Sequence, residues 1–286
     1  MQQPPQPASP ETSPMKSDRA RLAELTSAEA AIRLAAGPVL LLPLGSQEDQ
    51  GPHAPMGDFL CAERIAILIA ERARSEGHDT LVAPVLPFGG RDFFGNVPGG
   101  ITLSQETLRH VLRDVTGCLL RHGARRLIVV NGHGGNAQAI HDVTQEILLA
   151  RGVLVPNFQL WRIAGQLLAP LLGAEKAARA AGHGADPLAS VAMHLFPELM
   201  RPDLIPAAPQ PIRDVFGLAA GNFGTAMFET IEIALPLDIG PSAVTGDASL
   251  SSAATGARIT DRLVELGAGL IARLTDHGWG EAGPTP

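Results

Sequence analysis

The chain has 286 residues, 45% of them hydrophobic, which is enough to bury a large core, and its length alone allows one or two domains. Charged residues make up 18% and the formal net charge is −7. Without any basic run, a chain of this balance is unsuited to holding a phosphate backbone, and nucleic acid is discounted as a partner. No run of 18 apolar residues occurs, so no membrane span is expected. Residues 1–16 (MQQPPQPASPETSPMK) lack an apolar signal core, which argues for the cytoplasm. Their Pro, Ser and Gln content cannot offset ordering entropy, so residues 1–17 are expected to be a disordered tail. Residues 18–278 are read as a single α/β domain and 279–286 as a loose end. Cys61 and Cys118 belong to no C-x-x-C pair and are expected to be buried reduced thiols.

In chain order, residues 18–36 read as helix, broken near Ser27. The apolar run 38–44 (PVLLLPL) reads as a strand buried on both faces. Residues 59–76 have helical periodicity with Gly77 as a stop, and 80–86 form a second strand. The Gly- and Phe-rich loop 87–100 precedes a helix to about Arg121, with Ser104 as its cap. A third strand, 125–130, runs into Asn131-Gly132-His133-Gly134-Gly135-Asn136, followed by a helix over 137–150 and a strand over 153–159. Helices are expected over 161–179, 186–200 and 249–275, with a strand over 230–235. Alternating strands and helices predict β-α-β units: a three-layer α/β/α sandwich around a mostly parallel sheet. In such sheets the working loops lie at the carboxyl ends of the strands, where the segments after Leu44, Leu86 and Val130 all emerge.

Three histidines stand in Gly-rich loops: His53, His133 and His183. A lone histidine is ordinarily a hydrogen-bonded structural residue. Three at strand-end loops, near Glu48, Asp49, Asp58 and Asp186, point instead to a functional site. Imidazole and carboxylate without thiolate form the ligand set of a divalent transition metal; zinc and manganese both fit. Asp58 has an ordinary alternative, as the N-cap of the helix that follows it.

Residues Pro43 to His53 (PLGSQEDQGPH) resemble the motif P-L-G-S-x-E-Q-H-G-P-H of the creatininase family. Residues 131–136 are similar to that family's N-G-H-G-G-N, and His183 to Ser190 to its H-A-G-E-x-E-T-S. Weaker echoes are Pro98 to Thr102 and Val244 to Asp247. The matches keep the family's order from about residue 38 to 275. The chain departs from the pattern where Gln50 replaces a metal-binding histidine, Asp186 a glutamate, Leu188 a second glutamate and Phe94 a histidine.

The resemblance implies a creatininase-like fold and a metal-dependent amidohydrolase. The expected reaction breaks a C–N bond, an amide or possibly a cyclic amide or formamide, in a small molecule. It implies one or two zinc or manganese ions per protomer. Glu48, Asp58, His133 and Asp186 would be ligands, with Asp49 or Gln50 completing the set. Glu48 and His183 would be catalytic, His183 as proton shuttle. His53, Phe94, Gly134 and Gly135 would meet the substrate. It also implies a homo-oligomer, often a hexamer. With Gln50, Asp186 and Leu188 altered, the alternative is a non-catalytic paralogue that binds a small molecule or serves as an assembly subunit. A third reading keeps the enzyme but changes the bond, to a lactone or an activated C–C bond. The turn 131–136 lacks G-x-G-x-x-G spacing, which disfavours a dinucleotide cofactor.

Overall fold

A strand whose side chains are apolar on both faces must be covered on both, and β1 (Val39–Leu44) is buried at all six positions. The computed structural model describes residues 19–91, 97–209, 214–220, 225–235 and 244–280. In it β1 lies between β2 (Thr80–Val82) and β3 (Arg126–Asn131), with β4 (Asn157–Gln159) on the far edge, all parallel. The period-2 pleat sorts the side chains into two cores. Val39 and Leu41 of β1 and Ile128 and Val130 of β3 pack with α2 (Asp58–Ser75) and the C-terminal helix Ala253–Asp276. Leu40, Leu42, Leu127 and Val129 pack on the other face with α3 (Gln105–Arg121) and α4 (Ala137–Arg151). The result is the three-layer α/β/α arrangement expected.

Beyond the sheet come α5 (Leu160–Leu172), α6 (Ala174–Ala180) and α7 (Leu188–Leu195). The helix expected over 161–179 is two helices, because Gly173 at φ +83° ends the first and starts the second. The predicted strands 80–86 and 153–159 shorten to three residues each. The first helix is a 3₁₀ turn (Leu22–Glu24) followed by α1 (Ser27–Ala35), which Thr26 and Glu29 cap reciprocally. Ser104 caps α3, and Ser252 caps α8 (Ala253–Asp276) by the same kind of bond. Gly256 of α8 lies so close to the Ser190 carbonyl of α7 that no side chain fits between them.

One strand was expected in the Pro- and Gly-rich region after 202; four are present among the described residues. β5 (Asp214–Val215), β6 (Leu218–Ala220), β7 (Thr225–Phe228) and β8 (Ile231–Ala234) form a separate antiparallel sheet. Cys61 is buried as expected, but Cys118 is exposed, because it sits on the outer surface of α3. Trp279, assigned by sequence to the loose end, is packed: its ring N–H donates to the Leu154 carbonyl at 3.1 Å. The expected tail 1–17 lies outside the described residues. Among those residues no helix is long and apolar enough to cross a membrane.

Candidate metal centre

The loop after β1 carries Glu48 and returns to start α2 at Asp58. Gly45 makes this turn possible: a Cβ there would meet the Phe59 backbone at 2.4 Å and Asp58 Oδ1 at 2.5 Å. Asp58 is the first helical residue, not the cap, and its Oδ1 accepts from the Ser46 backbone N–H rather than from its own helix. Its Oδ2 lies 3.0 Å from Nδ1 of His133, which stands just past the end of β3. Glu48 Oε1 lies 3.2 Å from the same nitrogen. One ligand atom from each of Glu48, Asp58 and His133 falls within 4.8 Å of the others, and all three residues are buried.

Two asparagines hold the loops in register. Asn131 Nδ2 donates to the His133 carbonyl at 2.8 Å, and its Oδ1 accepts from the His133 N–H at 3.1 Å. Asn136 Nδ2 donates to the Gly45 carbonyl at 3.1 Å, while its Oδ1 accepts from the Gly90 N–H at 2.9 Å. The loops after β1, β2 and β3 are thus tied by one side chain. Gly135 allows the third loop to close: a Cβ would stand 2.5 Å from the Gly90 carbonyl and 2.6 Å from His133 Nε2.

Burial by itself lowers the pKa of His133, but the charges of Glu48 and Asp58 outweigh it and hold the imidazole well above its usual range. Burial pushes Asp58 up to about 6, against the pull of His133. Two carboxylates removed from water beside one imidazole leave excess negative charge, and Glu48 Oε2 is buried without a hydrogen-bond partner. A divalent cation answers both. The donor set, two carboxylates and an imidazole, matches zinc or manganese.

These residues form one wall of a cavity of about 250 Å³, completed by Gln50, Gly134, Trp161, Leu168, His183 and Asp186, among others. Gln50 Nε2 donates to Glu48 Oε1 at 3.2 Å. His183 shares its Nε2 with the Asp49 carbonyl at 2.6 Å, and burial lowers its pKa. Asp186 is fully buried; its Oδ1 accepts from the hydroxyls of Ser190 at 2.6 Å and Ser251 at 2.7 Å.

Asp186 stands outside the three-residue cluster. Of the pair Asp49 and Gln50, the lining includes only Gln50; Asp49 Oδ1 instead accepts from the Gly51 N–H within its own loop. His53 is fully buried behind the lining, near the Gly184 backbone but outside hydrogen-bonding geometry. Gly134 faces open space in the cavity, and Gly135 does not line it. Phe93 and Phe94 lie outside the described residues. Phe88 is exposed, and among the described residues the apolar wall comes from Trp161, Leu168, Pro187 and Leu188. Sequence reasoning passed over Trp161, whose ring N–H donates to the Gly132 carbonyl. It also left Asn131 and Asn136 without a role, although both flank the Gly-His-Gly-Gly turn.

Fold and site together define an α/β protein whose parallel sheet presents, at its carboxyl end, a buried centre with the ligand chemistry of a divalent-metal hydrolase. The chain belongs to the creatininase family: the family model, described as creatinine amidohydrolase, matches residues 23–271. A mycofactocin precursor peptide peptidase of Mycobacterium ulcerans (strain Agy99) is 27% identical over 83% of this chain and 86% of that protein. The creatinine amidohydrolase of Pseudomonas putida is 39% identical over 41% of this chain, a match spanning 46% of that protein. Among solved structures, a mutant creatininase of Zn-Zn type superposes with a TM-score of 0.68, 26% identity and coverage of 94% of this chain and 100% of that one. A manganese creatininase gives 0.66 at 26% identity, covering 93% and 99%.

Proposed function

We propose that this protein is an amidohydrolase that cleaves a C–N bond, an amide, cyclic amide or formamide, in a small molecule with zinc or manganese at Glu48, Asp58 and His133. The observation that carries the reading is the convergence of these three buried residues beside a small, mostly apolar cavity. When bound, the ion would supply positive charge to polarise the scissile carbonyl and would lower the pKa of a water towards neutrality. Asn131 and Asn136 fix the loops that present the ligands, so little reorganisation is needed on binding. Glu48 Oε2, which has no partner, is the atom offered to a water proton. His183 is kept neutral by burial; with Nε2–H donated to the Asp49 carbonyl, Nδ1 is its basic nitrogen, which takes up the proton that Glu48 removes from the water and then passes it to the leaving nitrogen. Trp161, Leu168 and Leu188 exclude water from the apolar part of the substrate.

The likeness to a peptide peptidase supports a second substrate class, a peptide, because that alignment spans most of both chains. The cavity of about 250 Å³ favours a small acyl group over an extended peptide. By family resemblance the working form is a homo-oligomer, a hexamer, which native mass measurement checks. The test of function is turnover of a panel holding creatinine, cyclic imides, N-formyl amines and short peptides, with and without a chelator. Chelator-sensitive release of amine from the small amides is expected. Turnover confined to peptides would replace the small-molecule assignment. Turnover indifferent to chelation would remove the metal mechanism.

A further inference from the structure

The cavity holds two buried acceptors that the three-residue metal cluster does not use. Asp186 is fully buried; its Oδ1 takes hydrogen bonds from Ser190 and Ser251, but its Oδ2 has no partner. Gln50 is buried too, and with Nε2 committed to Glu48 its Oε1 is likewise unpartnered. Both residues line the cavity beside Trp161 and Leu168. A divalent ion balances Glu48 and Asp58 and leaves the carboxylate of Asp186 without a countercharge. A buried carboxylate in that position calls for a cation.

We propose that Gln50 and Asp186 form a recognition subsite for a cationic N–H donor of the substrate, an amidinium or ammonium group, next to a single metal ion. This rests on the hydrolase reading above and deepens it. The choice of an organic cation over a second metal ion follows from the donors. Gln50 and Asp186 offer one neutral amide oxygen and one carboxylate oxygen, too few and too weak for zinc, which seeks imidazole, thiolate or several carboxylates. The same pair leaves two unpartnered oxygens, one for each N–H of a planar cation, with Trp161 and Leu168 in the same lining to meet the substrate's apolar part.

The test uses the zinc-loaded protein and two probes of one shape, benzamidine (cationic) and benzamide (neutral), with binding read by calorimetry and by tryptophan fluorescence, and zinc counted in the same samples. Benzamidine is expected to bind more tightly than benzamide. Asp186→Asn, which keeps an oxygen for Ser190 and Ser251, is expected to weaken benzamidine at least about tenfold with little change for benzamide and with zinc retained. Gln50→Leu leaves the serine bonds of Asp186 intact and is expected to give a smaller loss of the same sign. Two zinc ions of similar affinity in the unaltered protein, the second lost in Asp186→Asn, would overturn the proposal. So would equal affinity for the two probes. A protein that binds no zinc at all while still preferring benzamidine would sink the hydrolase reading and leave the subsite standing.

Discussion

The two sheets of this protein contrast in every respect that bears on function. In the parallel sheet β1 is buried at all six positions and its flanks sort into two apolar cores. In the antiparallel sheet all four residues of β8 are exposed, and Phe228 and Ile231 face solvent at more than half of their full exposure. Glu48, Asp58 and His133 all stand at the ends of the first sheet; none comes from the second. Ligands for a buried ion must be held against their mutual repulsion, and loops and helix ends anchored on a sheet clamped on both faces give that rigidity. The exposed sheet has few buried contacts, which makes it the part of the fold most tolerant of change.

The sharpest way to break the contrast is at the centre itself. His133→Ala is expected to lower metal affinity by more than the roughly 10–100-fold that loss of an outer partner costs, and to abolish amide turnover while the fold survives; dialysis against a graded zinc buffer measures it. Next comes a pair of strand substitutions. Leu41→Ala in β1 should destabilise the protein by about 2–5 kcal/mol, and Ile231→Ala in β8 by no more than about 0.5 kcal/mol, read from denaturant midpoints. Similar losses at both positions would erase the difference between the sheets. A smaller effect is expected at Gly135→Ala, whose Cβ would press on the Gly90 carbonyl and the His133 ring. Loop displacement there should weaken metal binding about 10–100-fold with melting temperature less affected. The smallest readout is chemical. The Cys61 thiol is pushed up by burial and the Cys118 thiol is exposed, so a thiol reagent should label Cys118 alone in the native protein and both after denaturation.

The same contrast explains what was legible in the sequence. The run VLLLPL declared a doubly buried strand because six apolar residues between Gly37-Pro38 and Gly45 are too few for a buried helix and the right length for a strand. Alternating periods then located α2, α3 and α4 to within one or two residues. The antiparallel sheet was all but invisible: its strands are two to four residues long, set among Pro and Gly, and carry no burial pattern to read. The break at Gly173 was missed because both halves keep helical composition. At the site, glycine-flanked histidines and nearby carboxylates pointed to the loops that bring Glu48, Asp58 and His133 together. What could not be read was which side chains turn inward. Asp49 and Gln50 are neighbours in sequence, yet the chain's path after Glu48 sends one into its own loop and the other into the cavity. Trp161 lies on a helix whose apolar character hid a cavity wall among ordinary core positions.

The most direct test is metal content per protomer, measured by elemental analysis after supplying zinc or manganese, for the unaltered protein beside Glu48→Gln and His133→Ala. About one equivalent in the unaltered protein, lost in both variants while each keeps its folded circular dichroism spectrum, is the predicted result. No bound ion in the unaltered protein, or an ion retained undiminished in both variants, would contradict the assignment of Glu48, Asp58 and His133 as the metal centre.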